Sequence, residues 1–367
     1  MFAGDKMKKL KIFTITLLLI IGFMPINANA EDINVSAKAA VLMIADTGEI
    51  LYQKNAYDKL SMASTTKIMT SLIALESGQR TRKVRVTREM VTVEGTSMGL
   101  KENDTVTVEN LVYGMLLQSG NDAANVTATV LSDKTDFITK MNNKARQIGM
   151  KNTNFETPSG LDSENHYSCA YDMALLAAEA LRNPEFRYIC SKTQASISYG
   201  NPPYPRTLTN HNRLLRECEG CIGVKTGFTK KSGRCLVSAV ERDGSLLVAV
   251  TLKAPNDWDD HKRLYEYGFS QITPEAISPA LPDNGINVVG GTKSSVAVGF
   301  QNVPTITVRN PEKIEQKIYI EHFEYAPVKK GEIVGFVRYF YDGAIIEEVP
   351  IVTTEAVERS VGKEQNG

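Results

Sequence analysis

A serine and a lysine three residues apart, Ser64 and Lys67, head an apolar stretch of Ile68, Met69, Leu72, Ile73 and Leu75 that closes at Gly78. The spacing predicts a buried helix with a glycine just past its end. Residues i and i+3 of a helix share one face, about a turn apart. An alcohol is a weak nucleophile until a base removes its proton, and Lys67 is the base within reach. It can act so only while part of it is neutral. Moving a lysine pKa from about 10.4 to about 7 takes roughly 4.6 kcal/mol of differential interaction. Burial and a second cation, Lys225, both push that way. In the alternative, Lys67 stays charged as an electrostatic stabiliser and another group carries the proton. Ser64 at a helix start also feels the positive end of the helix dipole.

Two further clusters supply what a serine nucleophile lacks. Ser119-Gly120-Asn121 follows a helical segment. Its hydroxyl can relay a proton towards a leaving amine, and its amide can hold Lys67 and a substrate carbonyl. Lys225-Thr226-Gly227 ends a strand and offers a charge and a hydroxyl to a substrate carboxylate. Gly227 lets a peptide lie against the strand edge. The backbone N–H groups of Ser64 and Phe228 are the candidate oxyanion hole, where one donor is worth roughly 2.7–4 kcal/mol. Singly, these motifs are ordinary: a turn, a strand end, and a Ser-x-x-Lys that recurs at Ser360–Lys363 in a polar tail. Their joint order carries the argument. His166 and His211 read as structural or rim residues. Four histidines without a paired aspartate pattern argue against a Ser-His-Asp triad. No cysteine stands at a helix start beside a base, as a nucleophile would need.

The elements that must position these groups alternate along the chain. Residues 39–53 read as a hairpin around Asp46-Thr47-Gly48-Glu49. Short strands follow at 83–87 and 104–108. Helices are expected at 109–118, 123–131, 137–148 and 171–181, strands at 221–226, 235–241 and 246–252, and a closing helix at 258–268. Early and late strands around a helical middle predict an α+β domain whose two ends join one antiparallel sheet. Pro274, Pro279 and Pro282 punctuate a linker at 271–283. Residues 284–354 then read as a small all-β domain, with Asp342-Gly343 as a hairpin turn and a polar tail over 355–367.

Residues 1–30 have the form of an export signal: basic Lys6, Lys8, Lys9 and Lys11, an apolar run from Ile12 to Phe23, and Ala28-Asn29-Ala30 as the cleavage site. The run is short for a membrane span. The catalytic domain is expected over 31–270, outside the cytoplasmic membrane. With 42 basic and 42 acidic residues, no basic excess exists to neutralise a nucleic acid. The five cysteines, Cys169, Cys190, Cys218, Cys221 and Cys235, leave at least one unpaired. Cys218-x-x-Cys221 can be a disulfide, a redox pair or half a metal site. Without a second Cys-x-x-Cys or a well-spaced histidine pair, zinc is not expected. Small buried or reduced thiols are the favoured reading.

The ordered motifs resemble those of the low-molecular-mass penicillin-binding proteins, the serine-type D-alanyl-D-alanine carboxypeptidases. The likeness runs from about Ala39 to Val352. Met62 to Thr70 looks like the nucleophile segment, and Ser119 to Ala124 like the second motif, with Gly120 where class A β-lactamases often carry Asp. Pro158-Ser159-Gly160-Leu161-Asp162 and His166-Tyr167-Ser168 resemble a further family stretch, and Gly223 to Thr229 the third motif. The resemblance implies a β-lactamase/DD-peptidase-like catalytic domain with Ser64, Lys67, Ser119 and Asn121 catalytic and Lys225, Thr226, Gly227 and Phe228 binding substrate. It implies removal of terminal D-alanine from peptidoglycan stem peptides, an acyl-enzyme on Ser64, inhibition by β-lactam antibiotics, and neither metal nor organic cofactor. The C-terminal β module resembles the part that holds the catalytic domain off the membrane, so peripheral contact with its outer face is expected. Two features depart from the family: the tail lacks the apolar face of a membrane helix, and Cys169 stands where a small hydroxyl residue is usual. An endopeptidase cutting D-alanine cross-links would use the same residues. A β-lactamase, or a non-catalytic wall-binding protein, remains the alternative from further afield.

Overall fold

The computed structural model describes residues 33–276, 281, 285–302 and 305–360. The export-signal reading of residues 1–30 lies outside them, as do much of the expected linker and residues 361–367.

Five antiparallel strands make the central sheet: β1 (Ala39–Ile44), β2 (Ile50–Lys54), β3 (Cys221–Thr229), β4 (Gly233–Arg242) and β5 (Ser245–Leu252), in the order β2-β1-β5-β4-β3. The expected joining of the two chain ends is present, with Ala39 opposite Leu252 and Ile44 opposite Leu247. Every residue of β1 and β5 is buried, which is why Ala39 to Ile44 and Leu246 to Val250 read as apolar runs rather than alternation. Val41 and Met43 face a helical layer. It comprises α1 (Lys67–Glu76), α2 (Val108–Leu116), α3 (Asn121–Leu131), α4 (Lys134–Ile148) and α5 (Ala170–Arg182). Leu42 faces the other way, against α6 (Asp257–Ser270) at Gly268, where a side chain would collide with Leu42 and Leu247.

Local signals explain the helix ends. Thr107 and Asp133 cap α2 and α4 by accepting from backbone N–H groups of their first turns. Gly149, at φ +91°, ends α4. Cys169 caps α5, its sulfur accepting from Asp172 N at 3.4 Å. The thiol thus occupies the place where a hydroxyl would make the same bond more strongly.

A second sheet of four strands, Lys83–Arg85, Thr105–Thr107, Gln194–Gly200 and Pro203–Thr209, flanks the helices. Neither its hairpin at 194–209 nor the helix Pro184–Cys190 was expected from the sequence, although Asn183-Pro184 caps and opens that helix. Pro203 and Pro205 break the alternation, and they are tolerated because Pro203–Thr209 is the sheet edge.

The β-rich region from Ile286 has its own buried cluster, around Val296, Val308, Val337, Tyr339 and Ile351. Its hairpin Ile333–Tyr341/Ala344–Thr353 turns at Asp342 (φ 47°) and Gly343 (φ 82°), the positive-φ pair the sequence called for. Two features differ from the sequence reading. Thr273–Ala276, inside the expected linker, is a strand paired with Thr305–Val308. Val357, in the expected polar tail, is buried and bridges Val328. The β region is also tied to the central sheet: Ser245 Oγ lies 2.8 Å from Thr307 Oγ1, and Arg309 donates to Glu49 and to the Leu51 carbonyl.

Candidate active site

Ser64 lies in a 3-10 turn, Ala63–Thr66, rather than in the α-helix proper, which begins at Lys67. The turn starts with Ala63 at φ 49°, a conformation costly for a residue with a Cβ and one that recurs at functional sites. The surroundings hold it there. Thr65 and Thr66 donate their hydroxyls to Met62 O and Ala63 O. Gly160, at φ +86°, packs so closely on Ala63 O that no side chain fits.

Lys67 is fully buried. Its Nζ lies 2.9 Å from Ser64 Oγ, 2.7 Å from Asn121 Oδ1 and 2.6 Å from Ser159 O. Asn121 donates Nδ2 to Glu94 O at 2.7 Å, so its amide oxygen must be the atom facing Lys67. The carbonyls of Asn121 and Ser159 can only accept. A neutral Lys67 therefore spends both N–H bonds on them and turns its lone pair to Ser64, the one partner able to donate. Burial, reinforced by Lys225, pushes the Lys67 pKa well below the usual lysine range, against a smaller opposing pull from Asp122.

Asn121 opens α3, preceded by Ser119 at φ 58°. Asp122 accepts from Ser97 Oγ and from the N–H groups of Met98, Gly99 and Leu100. It thereby holds the segment beside Ser119 in place. Among the described residues Ser119 Oγ has no hydrogen-bond partner, so its hydroxyl is available to a substrate. His166 accepts at Nδ1 from Glu156 N and so donates at Nε2 to Thr66 Oγ1, 2.9 Å away. Burial lowers its pKa to about 4, and it serves as a neutral brace behind the nucleophile turn, in keeping with the structural reading.

The edge strand β3 forms the opposite wall. A Cβ on Gly227 would stand 3.0 Å from Met62 O and 3.1 Å from Ser64 N, so only glycine lets β3 approach the nucleophile turn this closely. Phe228 is 66 % exposed at the rim, which leaves its backbone as the useful part. Lys225 is 1 % exposed, and its Nζ donates to Thr226 O. Burial lowers its pKa to about 7. Its charge is therefore set within the wall rather than offered at the surface.

Ser64, Ser119, Thr226, Gly227 and Phe228 line one cleft of about 280 Å³. The structure thus gathers all eight residues singled out in the sequence around one place. The chain between the motifs matches a known arrangement too: the profile of the D-alanyl-D-alanine carboxypeptidase family (peptidase family S11) covers residues 26–256. The chain belongs to that family. It is a serine-type D-alanyl-D-alanine carboxypeptidase. Residues 284–359 match the penicillin-binding protein 5 C-terminal domain. The chain is 30 % identical over 339 residues to D-alanyl-D-alanine carboxypeptidase DacF of Bacillus subtilis, covering 88 % of this chain and 86 % of that one. It is 33 % identical over 349 residues to DacC of Escherichia coli, covering 89 % and 85 %. Penicillin binding protein 5 from Haemophilus influenzae superposes with a TM-score of 0.62 at 29 % identity, over 89 % of this chain and 98 % of that one.

The carboxypeptidase cleft also contains residues the sequence reading passed over. Arg234 on β4 sits opposite Phe228 and lines the cleft with Asp257 and Trp258. Its Nε and Nη2 both donate to Asp257 Oδ1, at 2.9 and 2.7 Å, and its guanidinium lies 5.3 Å from the Trp258 ring centroid. A lone arginine in a strand gives no motif. Its place opposite Phe228, in the cleft that Thr226 also lines, appears only once β3 and β4 are paired. Ser159 was noticed as part of a motif, but the use of its carbonyl by Lys67 was not foreseeable from residue types.

Proposed function

We propose that this chain is an exported enzyme that removes the terminal D-alanine of peptidoglycan stem peptides through an acyl-enzyme on Ser64. The observation that carries the residue roles is the position of buried Lys67 Nζ, 2.9 Å from Ser64 Oγ and otherwise bonded to two carbonyl oxygens that can only accept. Lys67 takes the hydroxyl proton as Ser64 attacks the penultimate D-alanine carbonyl. The N–H groups of Ser64 and Phe228 receive the developing oxyanion. Ser119 passes a proton to the leaving amine, and free D-alanine departs. Water then attacks the ester, returning the proton to Ser64 and releasing the shortened stem. Asn121 holds Lys67 and orients the substrate amide, while Gly227 admits the peptide along β3. Thr226 and Arg234 take the terminal carboxylate, with Lys225 supplying positive potential from behind. β-Lactams place a carbonyl and a carboxylate at the same spacing and acylate the same serine.

The supporting chain organisation is an export signal over 1–30, a catalytic domain over 31–270 and a β module from 284. Among the described residues no helix is long and apolar enough to cross a membrane. Membrane contact, where it occurs, is peripheral and at the outer face.

The test is intact mass of the protein with and without penicillin, beside D-alanine release from a pentapeptide. A lasting adduct on Ser64 with D-alanine release is expected. An adduct with no release, but cleavage of a D-alanine cross-link, replaces this reading with an endopeptidase. Fast penicillin turnover replaces it with a β-lactamase.

A further inference from the structure

The mechanism leaves Cys218 and Cys221 unused. Cys218-Glu219-Gly220-Cys221 is a tight turn between the short helix Leu214–Glu217 and β3. Cys221 N donates to Cys218 O at 3.1 Å, and Gly220 has φ +76°. That is a type II turn, with glycine where the positive φ is required. Such a turn brings its first and fourth Cα atoms within about 7 Å, and disulfides span Cα separations of about 4.4–6.8 Å. The turn is held from outside as well: Glu241 N donates to Gly220 O at 2.9 Å, and the Arg242 guanidinium reaches Glu219 O.

We propose that Cys218 and Cys221 are a dithiol modification site that closes to a disulfide across this turn and staples the foot of β3. The oxidant is a small-molecule or protein disulfide. The Cys218 thiolate attacks one donor sulfur, the donor S–S bond breaks, and one donor thiolate leaves. The Cys221 thiolate then attacks the Cys218 sulfur and displaces the second donor thiolate. The protein loses two electrons, and its two thiol protons end on the two donor thiols.

The order of attack follows from the surroundings. Cys218 is partly exposed, with its sulfur 3.9 Å from the Glu219 carbonyl; burial raises its thiol pKa, and the neighbouring Arg242 guanidinium opposes that rise. Cys221 is more enclosed, with its thiol pushed up to about 12 by burial, so it acts as the resolving thiol. The other three cysteines are buried and spatially committed. Cys169 caps α5. Cys190 Sγ lies 3.4 Å from Arg187 O and 3.3 Å from Ile222 O, either of which can take its single proton. Cys235 lies in the interior of β4. The inference does not depend on the chemistry at Ser64.

Cleavage after Arg216 and Lys225 releases both cysteines in one peptide, residues 217–225, whereas Cys190 falls in 188–192. The folded protein is incubated with oxidised glutathione, denatured, alkylated and digested. Peptide 217–225 is expected unalkylated and lighter by two hydrogens, with Cys169, Cys190 and Cys235 alkylated. Cys221→Ser is expected to trap glutathione on Cys218, and dithiothreitol to reverse both products. A doubly alkylated 217–225, a cross-link to 188–192, or an unmodified Cys218 in the Cys221→Ser variant would overturn the assignment. The oxidised protein should also melt at a higher temperature than the reduced one, and Cys218→Ser should abolish that difference. Equal midpoints would overturn the stapling role.

Discussion

Asn121 Oδ1 lies 2.7 Å from Lys67 Nζ because Asn121 Nδ2 is tied to Glu94 O on its far side. The amide cannot rotate without losing both bonds, so Lys67 always meets an acceptor there. Replacing Asn121 by Asp puts a negative charge at that distance. A carboxylate this close shifts a pKa by about 1–3 units towards the charged form. The expected result is a fall in Ser64 acylation at neutral pH of about tenfold or more, with partial recovery at alkaline pH. Stopped-flow acylation by a chromogenic β-lactam at several pH values checks this. Equal loss at every pH would mean that Asn121 acts on the substrate alone.

The two buried lysines make a second prediction. Acylation should rise with pH as Lys67 loses its proton, and its lowered pKa places that rise below the usual lysine range. The Lys225 ammonium is one cause of the lowering, so removing it lets the Lys67 pKa climb. In Lys225→Met the rising limb should therefore move to higher pH, in addition to any loss of maximal rate. A limb that stays in place would show that burial alone sets the Lys67 pKa.

Arg234 is the cleft's accessible cation, since Lys225 is enclosed. Arg234→Gln should slow acylation by carboxylate-bearing penicillins about 10- to 100-fold, the loss of a hydrogen bond to a charged group being worth about 1.5–3 kcal/mol. Methyl-esterified penicillin should show little difference between the two proteins. A similar loss with the ester would point instead to a packing defect around Asp257.

Much of this site was legible in the chain, and the reason is local. Ser64 and Lys67 are one helical turn apart, and Lys225, Thr226 and Gly227 are consecutive, so residue type and spacing already state what they can touch. The apolar runs of β1 and of Leu246 to Val250 in β5 likewise marked them as strands. Arg234 was hidden because its position opposite Phe228 is created by strand register, a relation between two strands that residue type alone does not state. The hairpin at 194–209 was hidden because prolines at an edge strand erase the alternation that signals a strand. Val357 was hidden because one apolar residue among charged neighbours carries no period.

Gly227 gives a packing prediction. In Gly227→Ala the new Cβ meets Met62 O and Ser64 N at 3.0 and 3.1 Å, both of them backbone atoms that cannot swing away. Overpacking of this kind costs about 1–3 kcal/mol. The fold should survive with a lowered melting temperature, while acylation of Ser64 drops at least about 100-fold because a displacement of about 1 Å suffices. Wild-type acylation in a folded variant would show that the β3 contact is dispensable.

His166 makes acid stability testable. Its folded pKa, about 4, lies below the ordinary value near 6.5, so between those values the unfolded chain binds more protons than the folded one. Stability therefore falls as the pH drops through that window, by on the order of 3 kcal/mol from this residue. His166→Gln should lose stability at neutral pH yet show a shallower decline towards pH of about 4. Urea unfolding at several pH values measures both slopes, and parallel curves would sink the assignment.

The β region meets the central sheet through the Ser245–Thr307 contact and the grip of Arg309 on Glu49 and Leu51, and it also pairs its strand Thr305–Val308 with Thr273–Ala276, which follows α6. A single connecting segment would act as a swivel; several attachments spread across an area act as a bracket. The catalytic sheet and the β region are then held in one mutual orientation, so that whatever grips the β region also sets the direction in which the cleft opens.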